Sequence, residues 1–369
     1  MTTHKLPFSA DVEKLACVLN SCEIATFIED LEETKLTGRR GYATKALVGI
    51  SLVKSIYSIS TWTRTLALVR EHEKLKHALG CSCDSDVPSI YSCYRFTVKL
   101  RKHKSLLDKC IQEVICALHS ELPEMGVNIA IDGSDIPAYA NGRTLLKRNG
   151  PKREKLADPD ATWSRRSASS NRPGGAYYGY KLHAAVCTKT GLPLAWRTET
   201  ARDAEQSLAA LLVEKVKENG FSANTCALDK GYDSQHIHKD LEELSCRPII
   251  PMREFTKNTH PVTCEHGEWK FAGSDYKRQC SQWRCPTGEC EPKVKRIKAS
   301  RINSLIPRST ERWKKLYRGR SAIEREFGHL KTQWALLPLK VRTLERVKLH
   351  VDLTILARLS CALARAKLA

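Results

Sequence analysis

The sequence lacks any run of apolar residues long enough to span a membrane, and its first residues lack the apolar stretch of a secretion signal. We therefore expect a cytosolic protein and exclude a membrane or exported one. The 15 cysteines are an odd number. Without an export signal they argue against a disulfide framework and favour reduced thiols, with room for one metal site. Acidic residues are also few, since 41 Asp or Glu stand against 61 Lys or Arg.

The excess of basic charge is concentrated in two segments of the chain. Residues 293–348 contain 17 Lys or Arg and 4 acidic residues, a net charge of +13. Residues 142–183 contain 10 Lys or Arg and 3 acidic residues, a net charge of +7. The whole chain carries +20, so the remainder is neutral. Such clusters are typical of a polyanion-binding surface whose affinity falls with salt. They predict a nucleic-acid partner.

Helical periodicity dominates residues 1–125, and a length of 369 residues predicts two or three structural units. Five basic side chains lie close together late in this region: Arg95, Lys99, Arg101, Lys102 and Lys104. Short helices with a basic edge occur in helix-turn-helix DNA readers, and they also serve packing or dimerisation. The pattern leaves these two interpretations open.

Short apolar runs replace the helical pattern from residue 126 onward. Residues 127–131 predict a buried strand that ends in a turn over residues 132–137, with Asp132 at the end or in the middle of the strand. Residues 224–228 predict another strand that leads directly into Asp229. The full order to residue 252 is strand, strand, strand, helix, strand, helix, strand. It indicates an α/β unit with an aspartate on its first strand and another after its fourth.

Neighbouring residues receive less specific predictions. Asp135 and Asp233 lie close to the two aspartates above, and we interpret each as a turn or capping residue. Residues 138–176 are polar and strongly basic, which predicts a long mobile loop.

A single helix is predicted from residue 313 to residue 334. Its helical spacing places four residues on one polar stripe beside an apolar face: Tyr317, Arg320, Glu324 and Lys331. A carboxylate between two cations at the edge of a core suits phosphate and metal binding, whereas a solvated ion-pair face is the alternative. Gly319 and Gly328 weaken such a helix by roughly 1 kcal/mol each, which indicates that a neighbour approaches closely.

This arrangement resembles the ribonuclease H-like fold of the DDE transposases. The last motif of bacterial insertion-sequence transposases is Tyr, two residues, Arg, three residues, Glu, six residues, Lys. The stripe is similar to it and satisfies every gap. Asp229-Lys-Gly-Tyr-Asp233 looks like the second motif of that family, and Asp132-Gly-Ser134 looks like its first. The resemblance covers about residues 40–360, and three motifs in order are specific where each alone is weak.

The resemblance implies a transposase that cleaves DNA at the ends of its insertion sequence and joins the 3′-OH ends to target DNA. Asp132, Asp229 and Glu324 would be the catalytic carboxylates and would hold two Mg²⁺ or Mn²⁺ ions. Six residues are predicted to contact DNA: Tyr317, Arg320, Lys331, Lys230, Arg165 and Arg166. The expected partners are double-stranded DNA, namely terminal inverted repeats and target, and further copies of the chain in a homodimer or higher oligomer. The expected location is the bacterial cytoplasm at the nucleoid.

Two other functions remain open at this point. One is a metal-dependent nuclease on the same fold without strand transfer, and the other is a catalytically silent DNA-binding protein. A transposase transfers a labelled 3′-OH end into a plasmid, whereas the nuclease does not. A transposase also cleaves DNA in the presence of the metal, whereas the silent DNA-binding protein does not.

Between Asp229 and Glu324 lie 94 residues, which resemble the strand-rich insertion that some of these transposases carry. Four cysteines in it suggest one structural Zn²⁺, with free thiols as an equal alternative: Cys264, Cys280, Cys285 and Cys290. The predicted fold is α/β, with a ribonuclease H-like mixed sheet, flanking helices, a preceding all-α domain and a small β-rich insertion. Four parts are predicted. Residues 1–125 form a helical DNA-binding or dimerisation domain, and residues 126–252 form the first part of the catalytic domain. Residues 253–305 form the insertion, and residues 306–369 form the catalytic and packing helices.

Overall fold

A computed structural model describes residues 8–35, 41–166, 173–203, 208–253 and 261–368. Helices fill the N-terminal region, as predicted: α1 Phe8–Leu19, α2 Cys22–Glu33, α3 Thr44–Ile56, α4 Trp62–Glu71, α5 Glu73–Ala78, α6 Ile90–Lys102 and α7 Lys104–Glu121. Side-chain hydroxyls begin two of them, because Thr61 Oγ1 accepts the N–H of Arg64 and Ser89 Oγ accepts the N–H of Ser92.

A mixed sheet follows these helices: β1 Asn128–Pro137, β2 Thr162–Arg166, β3 Gly175–Cys187, β4 Pro193–Thr200, β5 Thr225–Ala227 and β6 Arg247–Ile249. Two helices connect its later strands, α8 Leu208–Glu218 and α9 Gln235–Glu243. The strand order is β2-β3-β1-β5-β6, and β4 also pairs with β3. β1, β5 and β6 are parallel, whereas β3 is antiparallel to β1, β2 and β4. The predicted α/β fold with a mixed sheet is confirmed.

Two predictions within the sheet are wrong. β1 does not end in a turn at Asp132 but continues to Pro137, because β3 is long enough to pair with it along its whole length. Residues 138–176 are not simply a mobile loop, since β2 lies within them and pairs with the start of β3. The buried Asp158 also fixes this segment, accepting hydrogen bonds from Tyr180 Oη at 2.7 Å and from the N–H of Thr343 at 3.1 Å.

The insertion forms a small separate set of strands: β7 Thr263–Cys264, β8 Gly267–Glu268, β9 Lys270–Asp275, β10 Cys280–Arg284 and β11 Val294–Lys298. β10 is the centre of a three-stranded sheet, and β7 pairs with β8. Its own hydrophobic cluster has four buried members: Val262, Trp269, Trp283 and Cys285. The strand-rich insertion is therefore present as predicted.

Three helices complete the chain, α10 Glu311–Arg318, α11 Ser321–Gln333 and α12 Leu344–Leu368. The single helix predicted from residue 313 to residue 334 is wrong, because the chain tightens between α10 and α11. The N–H groups of Gly319 and Arg320 donate to carbonyls three residues earlier rather than four. A Cβ added to Gly319 would lie 3.1 Å from Cβ of Thr188, so the predicted close approach exists here. At Gly328 the predicted close approach is wrong, since no neighbouring atom lies within 4 Å of a Cβ added there.

Gly328→Ala is therefore expected to raise the free energy of unfolding by about 0.5–1 kcal/mol, because alanine restricts the unfolded chain and favours helix. Gly319→Ala is the matched comparison, and contact with Thr188 should cancel its gain. Thermal unfolding of both variants tests this expectation. A lower Tm for Gly328→Ala would contradict it.

One hydrophobic cluster joins the N-terminal helices, the sheet and the C-terminal helices. α12 packs against α3 and α7 and against β4. Four of the five basic side chains on α6 and α7 bind protein groups. Arg95 donates to the hydroxyl of Ser92 within α6. The other three reach further: Lys99 binds the carbonyl of Leu31, Arg101 the carboxylate of Glu345, and Lys104 those of Asp108 and Asp352. These contacts favour packing for those three side chains. Within the described part of the chain, every helix is too short or too polar to cross a membrane.

Candidate active site

Two of the three predicted carboxylates lie on adjacent strands of the sheet, Asp132 in the middle of β1 and Asp229 just after β5. β1 and β5 run parallel with Ala130 opposite Ala227. Asp132 and Asp229 each follow two residues later, and adjacent strands are about 4.8 Å apart. The two aspartates therefore lie side by side at the carboxyl-terminal edge of β5. The position of Asp229 is set locally, since its Oδ1 accepts the N–H of Gly231 at 2.7 Å and begins a short 3₁₀ turn.

The third carboxylate reaches this edge from α11. Arg320, at the start of α11, donates from Nη1 to Asp132 Oδ2 at 3.2 Å and from Nη2 to Glu324 Oε1 at 2.5 Å. One guanidinium thus joins the carboxylates of Asp132 and Glu324. Burial acts to lower the pKa of Arg320, but the charges of Glu324 and Asp132 outweigh it and raise that pKa above its usual value. The space between these carboxylates accommodates a positive charge.

A second group of charges lies further along β1. Asp135 receives Lys331 Nζ at 3.3 Å on one oxygen and Arg166 Nη1 at 3.1 Å on the other. Its side chain is 13% exposed. The prediction of a turn or capping role for Asp135 is wrong, because it lies within β1 and holds two of the predicted DNA-binding cations. Sequence offered no signal for this role, since both partners come from distant elements.

The remaining predicted DNA-binding residues are Tyr317, Arg165 and Lys230. Tyr317 stacks on Trp313 with ring centroids 5.0 Å apart, and the Arg320 guanidinium lies 6.0 Å from the Tyr317 ring. Lys230 is exposed beside Asp229. Arg165 is exposed on β2, where the alternation of side chains turns it to the face opposite Arg166.

Asp233 and Glu326 lie close in sequence to predicted ligands but have other partners. Asp233 ends the 3₁₀ turn as predicted, yet its buried side chain binds Arg301 Nη1 at 2.7 Å and the N–H of Arg253 at 3.1 Å. Glu326 faces α12, where Arg358 binds both of its oxygens at 3.0 and 3.2 Å. Burial raises the pKa of Glu326 despite this partner. Both acids are held in structural ion pairs.

The insertion gathers a second cluster of chemically active side chains, formed by Cys264, His266, Cys285 and Cys290. The predicted set included Cys280 instead of His266, and the structure corrects this. Side chains alternate along β10, so Cys280 faces away from Trp283 and Cys285. Its Sγ lies 3.5 Å from the carbonyl of Arg278.

A family model described as transposase DDE domain matches residues 125–360. Among solved structures, the chain is similar to piggyBac transposase in a synaptic complex with hairpin DNA, at 13% identity and a TM-score of 0.40, covering 97% of this chain and 75% of that one. A comparison with curated protein sequences finds no match.

Proposed function

Because the chain belongs to the transposase DDE domain family, we propose that it cleaves DNA at the ends of its own mobile element and joins the freed 3′-OH ends to target DNA. The observation that carries the proposal is the guanidinium of Arg320, which joins the carboxylates of Asp132 and Glu324. Asp229 follows β5, the strand that pairs with β1 beside Asp132, and this placement supports its role as the third carboxylate. The reaction would occur in the bacterial cytoplasm, at the nucleoid.

The carboxylates supply the donor set that Mg²⁺ or Mn²⁺ prefers, namely hard oxygen ligands at a partly exposed site. Asp132, Asp229 and Glu324 would hold two such ions. In the structure the positive guanidinium of Arg320 lies between the carboxylates of Asp132 and Glu324. When bound, the ions would stabilise the charge that develops on the attacking and leaving oxygens of a phosphodiester. In each step an oxygen of water or of a 3′-OH end forms one P–O bond while the bond to the leaving oxygen breaks, and this direct attack needs no covalent enzyme intermediate.

The cations around the carboxylates would bind and orient the DNA backbone. Arg320 offers a fork of donors that matches a phosphate, and Lys331 offers a point charge. Asp135 holds Lys331 and Arg166 in fixed positions, while Arg165 and Lys230 are exposed to incoming phosphates. Tyr317 would position the backbone beside Arg320. Phosphate contacts of this kind fix register but do not read sequence.

The proposal is tested with the DNA that flanks the gene. Labelled fragments of this DNA are incubated with the protein, Mg²⁺ or Mn²⁺ and a supercoiled plasmid, and label covalently joined to the plasmid is measured. We expect metal-dependent cleavage followed by joining of the 3′ ends. Cleavage without joining would replace the proposal by a nuclease, and metal-independent binding without cleavage would replace it by a silent DNA-binding protein.

Binding of the same fragments is expected to weaken steeply with salt. Neutralising several phosphates releases their counterions, so six to ten contacts lose about 10³–10⁵ in affinity between roughly 50 and 200 mM salt. Filter binding across this salt range tests the basic surface. Sedimentation of the DNA-bound protein tests the expected dimer or higher oligomer. A flat salt dependence would contradict a backbone-binding role for these cations.

A further inference from the structure

The cluster in the insertion has the dimensions of a metal site. Sγ of Cys264 and Sγ of Cys285 are 3.8 Å apart. Nδ1 of His266 lies 3.8 Å from each of these sulfurs and 3.6 Å from Sγ of Cys290. Zn–S bonds of about 2.3 Å and Zn–N bonds of about 2.0–2.1 Å at tetrahedral angles place two sulfurs about 3.8 Å apart and sulfur and nitrogen about 3.6 Å apart. These four spacings are close to the edges of that tetrahedron, and all four ligand atoms lie within 4.8 Å of one another.

The imidazole of His266 is oriented as a metal-binding histidine is. Its Nδ1 faces the three sulfurs, while Nε2 lies 3.0 Å from Oε2 of Glu289. A carboxylate on the other ring nitrogen holds a ligating histidine in the required tautomer and makes it a better donor. Glu289 lies in the same loop as Cys285 and Cys290, so one segment supplies two ligands and the support for a third.

A disulfide does not account for this cluster. A disulfide requires sulfurs about 2.05 Å apart, and all of the cysteines in the structure are free thiols. Three thiols around one imidazole also leave an odd sulfur after any pairing.

The insertion has a physical need for a metal. Its separate hydrophobic cluster consists of four buried residues, and cores of that size rarely stabilise a fold without a disulfide or a metal. Cys285 belongs both to this cluster and to the thiol group. A bound ion would tie β7, the turn after it and the loop after β10 to one point.

We propose that Cys264, His266, Cys285 and Cys290 bind one structural Zn²⁺ that holds the insertion folded. The four protein ligands leave no position for a substrate, as in other closed structural sites. The ion therefore serves stability and takes no part in phosphodiester chemistry.

Metal content of the purified full-length protein tests the ligand set. After growth with added zinc, we expect about one Zn²⁺ per chain in the wild type, almost none in Cys290→Ser, and full occupancy in the matched control Cys280→Ser. His266→Cys should retain the ion, since four thiolates also bind zinc. Loss of zinc in Cys280→Ser, or its retention in Cys290→Ser, would overturn the assignment.

Cobalt provides a readout that does not depend on variant folding. Co²⁺ added to the metal-stripped wild type should produce thiolate charge-transfer and tetrahedral d–d absorption, both removed by one equivalent of Zn²⁺. Glu289→Gln should weaken Zn²⁺ binding about 10–100-fold and leave the cobalt spectrum tetrahedral. An octahedral cobalt spectrum or no spectrum in the wild type would refute the site. Neither assay uses DNA, so its result is independent of the proposed transposition.

Removal of the ion should unfold the insertion selectively. Trypsin after chelation is expected to cleave at Lys270, Arg284 and Lys298 well before it cleaves the helices of the main core. Added Zn²⁺ should restore resistance. Unchanged cleavage of the insertion after complete metal removal would show that the ion does not hold it folded.

Discussion

Asp229→Asn is expected to lower metal-dependent cleavage by at least about 10³-fold while DNA binding is unchanged. Asparagine has the shape of aspartate and can still accept the N–H of Gly231, so the 3₁₀ turn should persist. It lacks the charge that would hold a divalent ion, and loss of about 4 kcal/mol of stabilisation corresponds to this factor. Single-turnover cleavage of end fragments and filter binding measure the two quantities separately.

The matched control is Asp240→Asn on α9, which removes the same charge from a half-buried residue away from the strand ends. It should cleave at the wild-type rate. A third variant, Asp229→Cys, should be inactive with Mg²⁺ and recover in part with Mn²⁺, since a softer ion accepts a thiolate more readily. Wild-type cleavage by Asp229→Asn would remove this residue from the proposed site.

Arg358→Ala is expected to lower the free energy of unfolding by about 3–5 kcal/mol, because it removes the residue that binds both oxygens of the buried Glu326 carboxylate. The half-exposed His329, 3.7 Å from that carboxylate, is a weaker partner. Glu326 is 2% exposed and receives both Arg358 contacts between α11 and α12. Denaturant midpoints and Tm values measure the loss. Arg325→Ala on the exposed side of α11 should change stability by less than about 0.5 kcal/mol.

The loss in Arg358→Ala should depend on pH. Burial raises the pKa of Glu326 above 4.5, and removal of Arg358 should raise it further. The folded state then binds more protons than the unfolded state, so stability falls as pH rises above 4.5 toward the folded pKa. Arg358→Ala should therefore be less destabilised at pH 5 than at pH 8. The double variant Glu326→Leu, Arg358→Met should recover most of the stability, and an equally unstable double variant would contradict this account.

Several features could be predicted from residue spacing alone. The order of strands and helices was readable because hydrophobic periods of two and 3.6 residues distinguish the elements locally. Arg320 and Glu324 were correctly placed in one stripe despite the helix break, since they are one helical turn apart. Asp132 and Asp229 were identified from the ends of apolar runs. Helical spacing turns Glu326 away from the polar stripe that contains Glu324, and in the structure Glu326 binds Arg358 instead.

Other features depend on contacts between distant segments. The pairing of β2 with β3 turned a basic loop into a strand and brought Arg166 to Asp135. Thr188 packs against the position of Gly319, where one predicted helix became two. His266 joined the cysteine cluster because the pleat of β10 turns Cys280 to the opposite face.

By itself the sequence determined most of the elements, the charge distribution and the identity of the acidic residues that follow the apolar runs, because each depends on neighbours within one or two turns. Tertiary structure alone decided the partners of Asp135 and Asp158 and the fourth member of the thiol cluster. Those depend on which strands pair and which faces meet, and such long-range contacts leave no periodic trace in a single chain.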